Sequence, residues 1–107
     1  MAPTSLSYSA TVILQAIANG YQYGFEVMDV TGLPSGTVYP ALRRMEDAAY
    51  LRASWEKPAV AQREQRPARR YYEVTRLGTH ALAEAVKRYR QLGDASPATT
   101  KPAPTKA

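Results

Sequence analysis

Between Pro34 and Glu46 the chain reads Pro-Ser-Gly-Thr-Val-Tyr-Pro-Ala-Leu-Arg-Arg-Met-Glu, and this segment constrains the fold more than any other. Ser35 and Thr37 can each accept a backbone N–H at a helix N-terminus, where first-turn donors lack intrahelical partners. Pro40 has no N–H and must lie close to the first turn. At about 100° per residue, Val38, Leu42, Met45 and Ala49 share one side and form a core face. The opposite side carries Gly36, Pro40, Arg43 and Asp47, with Tyr39 and Arg44 on its flanks. A helix that begins with small residues and then offers Tyr and Arg suits close approach to another surface. It is a candidate DNA-reading helix.

The segments around it supply a scaffold. Residues 1–5 read as frayed, and Ser5 or Ser7 can cap a first helix that reaches Asn19. Leu6, Ala10, Ile13, Leu14 and Ile17 form its main apolar stripe, and Tyr8, Val12 and Ala16 form a second one. A helix apolar on more than one face is either deeply buried or shared with a partner, and in a chain of 107 residues a partner is expected. Asn19-Gly20 is a helix stop. A short helix then runs from about Tyr23 to Thr31, with Phe25, Val27, Met28 and Val30 as packing candidates. Gly32 ends it and Leu33-Pro34 turns into the central helix. Two helices joined by a short Gly-containing turn make a helix-turn-helix.

After Ala49 the periodicity changes. In Tyr50 to Glu56, Leu51, Ala53 and Trp55 alternate with Arg52, Ser54 and Glu56, which predicts a strand. Residues 57–68 are polar and broken by two prolines, and Arg69 to Val74 reads as a second strand. Two strands around a basic loop, directly after a helix-turn-helix, make a winged helix with that loop as its wing. Thr75 caps a last helix to about Leu92, with Leu77, Ala81, Leu82, Ala85, Val86, Tyr89 and Leu92 at helical spacing. From Gly93 the chain has no large apolar side chains to offset its ordering entropy, so residues 93–107 are expected to be a disordered tail. The expected fold is mainly α with a two-stranded β wing: a winged helix-turn-helix over residues 6–75 and a C-terminal dimerisation helix over residues 76–92.

Charge follows the same division. Residues 1–50 hold two basic and four acidic side chains, whereas residues 51–92 hold ten basic and four acidic ones. A basic patch attracts phosphate, acidic proteins or anionic lipid, so charge by itself does not choose among them. No apolar run is long enough to span a bilayer and no basic-then-apolar leader is present, so a cytoplasmic protein is expected. The absence of cysteine excludes disulfides, zinc–thiolate sites and thiol nucleophiles. His80 stands alone, and no nucleophile triad, phosphate loop or metal-ligand spacing is visible. Neither an enzyme nor a cofactor is expected.

With helix and wing in place, the chain resembles the PadR family of winged-helix transcriptional regulators. The resemblance is carried by Tyr23-Gly24-Phe25-Glu26, by the segment from Ser35 to Glu46, and by Tyr50-Leu51 and Trp55-Glu56. It continues through Arg66-Pro67-Ala68-Arg69-Arg70-Tyr71-Tyr72 and Val74-Thr75-Arg76-Leu77-Gly78. It covers roughly residues 6–92. It implies a homodimeric repressor that releases DNA when an inducer binds, often a small aromatic molecule. Two features depart from the family pattern. The wing tip is Val60-Ala61-Gln62-Arg63-Glu64-Gln65 where members often carry glycines, and one helix with a short tail stands where many have a larger C-terminal domain. Dimerisation is then expected through the first and last helices, with Leu6, Tyr8, Val12, Ala16, Leu82, Val86 and Tyr89 as contact candidates.

The expected partner is double-stranded DNA with a pseudo-palindromic operator. Arg43 is best centred for guanine or phosphate contact. Tyr39 either touches DNA or plugs the gap between helices, and Arg44 lies on the other flank. Ser35, Gly36, Thr37 and Pro40 form the helix start, with Thr37 read as a cap or phosphate donor. Arg63, Arg66, Arg69 and Arg70 fall within eight positions of the wing and are read as phosphate or minor-groove contacts. Trp55, Tyr71 and Tyr72 are read as core or sheet packing, in preference to a ligand pocket lined by Tyr8, Tyr21, Trp55 and Tyr89. The alternative from another class is a winged-helix interaction module whose basic face binds an acidic partner.

Overall fold

The structure, a computed structural model, describes residues 6–95. Helix α1 (Tyr8–Ala18) begins where Ser7 Oγ accepts the Ala10 N–H at 3.1 Å. It ends in a Schellman closure, with the Tyr21 N–H donating to the Ala16 carbonyl and Gly20 at φ +107°. Helix α2 (Gly24–Thr31) stops at left-handed Gly32. Helix α3 (Ser35–Asp47) follows after a three-residue turn, which completes the helix-turn-helix. Strand β1 (Leu51–Trp55) pairs antiparallel with β2 (Arg70–Val74), from Leu51 opposite Val74 to Trp55 opposite Arg70. A short helix, α4 (Pro58–Arg63), lies between them, and α5 (Arg76–Ala95) closes the described chain. The expected winged-helix architecture is therefore present. Residues 1–5, and the expected tail from residue 96 onward, lie outside the described residues.

The core is built around α1, which packs against α2, α3, α5 and β2. Ile13 and Leu14 are fully buried among Val27, Val38, Leu42, Met45, Leu51 and Leu82. Each such aliphatic side chain contributes roughly 1.5–3 kcal/mol on burial. Of the second stripe of α1, the chain's own elements cover Ala16, whereas Val12 is half-buried and Tyr8 exposed. Ala16 is buried inside the molecule, and so is Leu82 on α5.

Four further expectations change. Ala49 is not on the core face of α3. It is exposed just past the helix end, at φ +66°, where it takes the left-handed position of a second Schellman closure. Phe25 and Val30 are exposed, since α2 is only two turns long and turns Gly24 and Val27 inward. The strand alternation fails at the end of β1, where Trp55 is exposed and Glu56 is buried. The wing is not an irregular loop but contains α4. Pro58 starts that helix, and Gln65 at φ +57° ends it, with the Arg66 N–H on the Ala61 carbonyl at 3.1 Å.

Thr75 caps α5 as expected, its Oγ accepting the Gly78 N–H at 3.0 Å and donating to the Ala49 carbonyl at 2.6 Å. Gly78 lies against the Tyr50 carbonyl, where a Cβ has no room. The last helix is thus launched directly from the corner between α3 and β1.

Candidate nucleic-acid interface

The outer face of α3 carries no side-chain cap. Pro34 occupies the N-cap position and no side-chain oxygen closes the first turn, so Ser35 and Thr37 do not play the capping roles expected of them. Thr31 Oγ instead accepts the Leu33 N–H in the preceding turn. The exposed Ser35 and Gly36 therefore leave first-turn N–H groups open at the positive end of a helix, where an anion is favoured. Pro40 lies in the second turn, so the Gly36 carbonyl lacks its usual N–H donor four residues on. Nothing stands within 4 Å of the position a Gly36 Cβ would take, which leaves this face open to close approach.

Arg43 and Arg44 are exposed on the next turn, and among the described residues neither has a carboxylate within ion-pair distance. Tyr39 is both a plug and a partly exposed side chain. Its ring fills the space a side chain at Gly24 would occupy, so it plugs the α2–α3 gap, and it is still 47% exposed. Helix α3 holds this face still through Val38, Ala41, Leu42 and Met45, all buried on the opposite side.

The wing faces α3 across a groove of about 610 Å³ lined by Tyr39, Pro40, Arg43, Arg44, Arg70 and Tyr72, with Glu46 as its one acidic residue. Its arginines are not equivalent. Arg63 is exposed at the end of α4. Arg66 is held by Glu56, with its two terminal nitrogens at 2.7 and 2.9 Å from the two carboxylate oxygens. Arg69 stacks over the Tyr23 ring at 4.1 Å. Arg70 reaches Glu46 of α3 at 3.0 Å and lies 5.1 Å from the centre of the Trp55 ring. A bridge between Tyr23 and Tyr71, with the Tyr72 N–H donating to the Gln22 carbonyl at 2.8 Å, ties β2 to the turn before α2. Burial pushes the Tyr72 phenol up, so it remains neutral at the groove floor.

Glu46, Glu56 and Tyr23 were not singled out from the sequence. Glu56 sat in the solvent-facing register of a predicted strand, and its partner Arg66 lies ten residues away across α4. No periodicity connects them.

The dimerisation candidates divide. Ala16 and Leu82 are covered within the chain, whereas Leu6, Val12, Val86 and Tyr89 are half-buried and Tyr8 is exposed. Tyr8 and Tyr89 pack edge to face at 5.4 Å, and the Tyr89 hydroxyl donates to the Leu6 carbonyl at 2.9 Å. Trp55, read as core or sheet packing, is instead exposed at the wing beside Arg70. His80 is exposed. Among the described residues no group of His, Cys, Asp or Glu could hold a metal ion, and no helix is long and apolar enough to cross a membrane.

Comparison with known proteins agrees with this geometry. No curated protein matches the chain. Solved structures do, and their likeness is one of fold. A PadR family transcription regulator from Clostridium difficile R20291 superposes with a TM-score of 0.70 at 24% identity, over 82% of this chain and 93% of that one. A transcriptional regulator from Clostridium thermocellum gives 0.70 at 20% identity, over 88% and 91% of the two chains. BpsR of Bordetella bronchiseptica, whose DNA binding is regulated by 6-hydroxynicotinic acid, gives 0.69 at 19% identity over 92% and 74%. A sequence model of the PadR-like transcriptional regulators matches residues 13–84, which takes in the whole helix-turn-helix, the wing and the start of α5. The chain belongs to the PadR-like family of transcriptional regulators.

Proposed function

We propose that the protein is a dimeric repressor that reads a pseudo-palindromic operator, with α3 in the major groove and the wing on the flanking backbone or minor groove. The observation that carries this is the pair Arg43 and Arg44, unpaired on the rigid outer face of α3 and facing the wing across one basic groove. Arg43 reaches a base edge or phosphate, with Tyr39 and Arg44 beside it. Ser35, Gly36 and Thr37 at the open helix start meet a phosphate, and Pro40 keeps that face flat. Arg63, Arg69 and Arg70 supply the wing's charge. Arg66, neutralised by Glu56, braces the wing rather than meeting phosphate.

Dimerisation runs through α1 and α5, using Tyr8, Val12, Val86 and Tyr89, with Leu6 anchored beneath Tyr89. Ala16 and Leu82 support that surface from within. A shallow, mainly apolar groove between the helices, lined by Gln15, Leu82, Val86 and Lys87, continues the same face. Two reading helices then address half-sites about one helical turn apart, roughly 34 Å. Release by a small aromatic inducer belongs to the same reading, and its support is the regulation of BpsR by 6-hydroxynicotinic acid. Such a repressor works in the cytoplasm.

Selection of bound fragments from a genomic DNA pool, followed by salt titrations on a selected and a random duplex, tests the reading. A sequence preference that persists as salt weakens both complexes is expected. Equal affinity for both duplexes at every salt concentration overturns it in favour of a basic module for acidic partners. Sedimentation of the free protein should show a dimer, and a purely monomeric species at micromolar concentration removes that part of the proposal.

A further inference from the structure

Glu56 is the meeting point of the wing. Its side chain is only 6% exposed, although it stands in the most basic part of the molecule. One oxygen accepts Arg66 Nη1 at 2.7 Å and the Arg69 backbone N–H at 3.2 Å. The other accepts Arg66 Nη2 at 2.9 Å and the Tyr71 hydroxyl at 3.4 Å. The Glu56 backbone N–H donates to the Arg69 carbonyl at 2.8 Å. The exit of β1, the turn that follows α4 and the entry to β2 therefore converge on one carboxylate.

Apolar packing between the two strands does not hold that convergence. Among residues 57–68 only Ala61 is a buried apolar side chain, too small to fix the position of a two-turn helix. A carboxylate buried here also opposes attraction to phosphate, and its desolvation is offset only by the bidentate arginine and the further donors. Next in sequence to Arg69, Arg70 pairs with Glu46 of α3, so whatever sets the start of β2 also sets the distance between wing and reading helix.

We propose that Glu56 is a positioning residue for DNA recognition: by gripping Arg66 and the Arg69 backbone, it presents Arg69 and Arg70 at one fixed place relative to α3. This rests on the DNA-reading function above. Glu56 itself does not touch DNA. Its negative charge weakens non-specific attraction while its grip sharpens discrimination, and these two effects have opposite signs.

The test uses the full chain, a duplex selected from the genomic pool and a random duplex of equal length, with affinities measured across a salt series. In Glu56→Gln the selected duplex should bind about tenfold more weakly, on the order of one lost specific contact. The random duplex should bind equally well or up to about threefold tighter, with a slightly steeper salt dependence, because the Arg66 charge is released. Arg66→Lys keeps the charge and loses the two-pronged geometry, so it should weaken the selected duplex by several-fold and leave the random duplex unchanged. Circular dichroism establishes that the variants are folded. If Glu56→Gln is not, Arg66→Lys decides alone, since it changes a side chain already 24% exposed. Equal gains on both duplexes would make Glu56 a mere countercharge, equal losses would make it a stability residue, and an unchanged Arg66→Lys would remove the grip; each overturns the proposal. Failure of the unmutated protein to prefer any duplex would instead remove the DNA-reading function itself.

Discussion

Arg43 and Arg44 stand free on α3, whereas three wing arginines are each held by another side chain: Arg66 by Glu56, Arg69 over Tyr23 and Arg70 by Glu46. The contrast follows from how each region is anchored. Helix α3 is fixed by Val38, Ala41, Leu42 and Met45, no more than 3% exposed, and a helix backbone then dictates where every outer side chain points. The wing has one small buried apolar residue, Ala61, and must set its geometry with ion pairs, stacked rings and backbone closures. On the function proposed above, reading is placed by the core, and holding is placed by polar contacts.

The largest effect that bears on this contrast is on the core side. Leu42→Ala should destabilise the whole fold by about 2–5 kcal/mol, since a fully buried side chain leaves a cavity among α1 and α3. Denaturant unfolding measures it, and a loss below 1 kcal/mol, in a site that collapses around the gap, would mean that α3 is not core-anchored.

Next comes the reading face. Arg43→Ala should cost about 1–3 kcal/mol on the selected operator and much less on random DNA. If both affinities fall equally, Arg43 touches only phosphate, and discrimination must come from Tyr39, Arg44 or DNA shape.

Replacing Arg69 and Arg70 together with Ala should reach random DNA as well. Both affinities should fall, the operator's by up to about tenfold more because the fixed place that Glu56 gives these arginines is lost with them, and the salt dependence should flatten by about one to two units of slope. A double variant that lost only operator binding would break the division between reading and holding.

Acid should weaken the wing through Glu56. The bidentate Arg66 contact, followed by the Arg69 N–H and the charges of both arginines, holds the Glu56 carboxyl at about 2, below its ordinary 4.5. A carboxylate depressed in the folded state stabilises above its unfolded value, and that contribution is lost as pH falls from about 4.5 towards 2. Thermal unfolding followed over this range should fall more steeply for the unmutated protein than for Glu56→Gln. Parallel curves would show that the ion pair contributes nothing to the folded state.

The smallest effect compares two chain reversals. Ala49 and Gln65 both occupy left-handed positions that favour glycine, one after α3 and one after α4. Changing either to Gly should raise stability by at most about 1 kcal/mol, the relief of strain being partly offset by backbone entropy. Only Gln65→Gly, at the wing, is expected to alter DNA discrimination as well.

Much of this was legible because the relevant signals are local. The α3 stripe, the Ser7 and Thr75 caps, the Gly20 and Gly32 stops and the paired strands each follow from residues within a few positions of one another. The wing was not legible for the complementary reason. Helix α4 ends on a Gln in the left-handed region where a Gly would have announced the turn, and Trp55 and Glu56 exchange the burial that alternation assigns them. Strand alternation presumes a core on one side. At the end of β1 the neighbour is a guanidinium, so the carboxylate goes inward and the indole goes out.

The order of elements apart from α4, the position of α3 and the family were therefore determined by the sequence alone, through helical periodicity, end signals and one specific motif. Which face of α1 meets the chain's own core, which arginines remain unpaired and which are held by carboxylates were decided only in the tertiary structure. Periodicity reports which side of an element is apolar, but it cannot report what packs there. Ion pairs such as Glu56–Arg66 and Glu46–Arg70 join residues 10 and 24 positions apart, and they exist only once the backbone has brought them together.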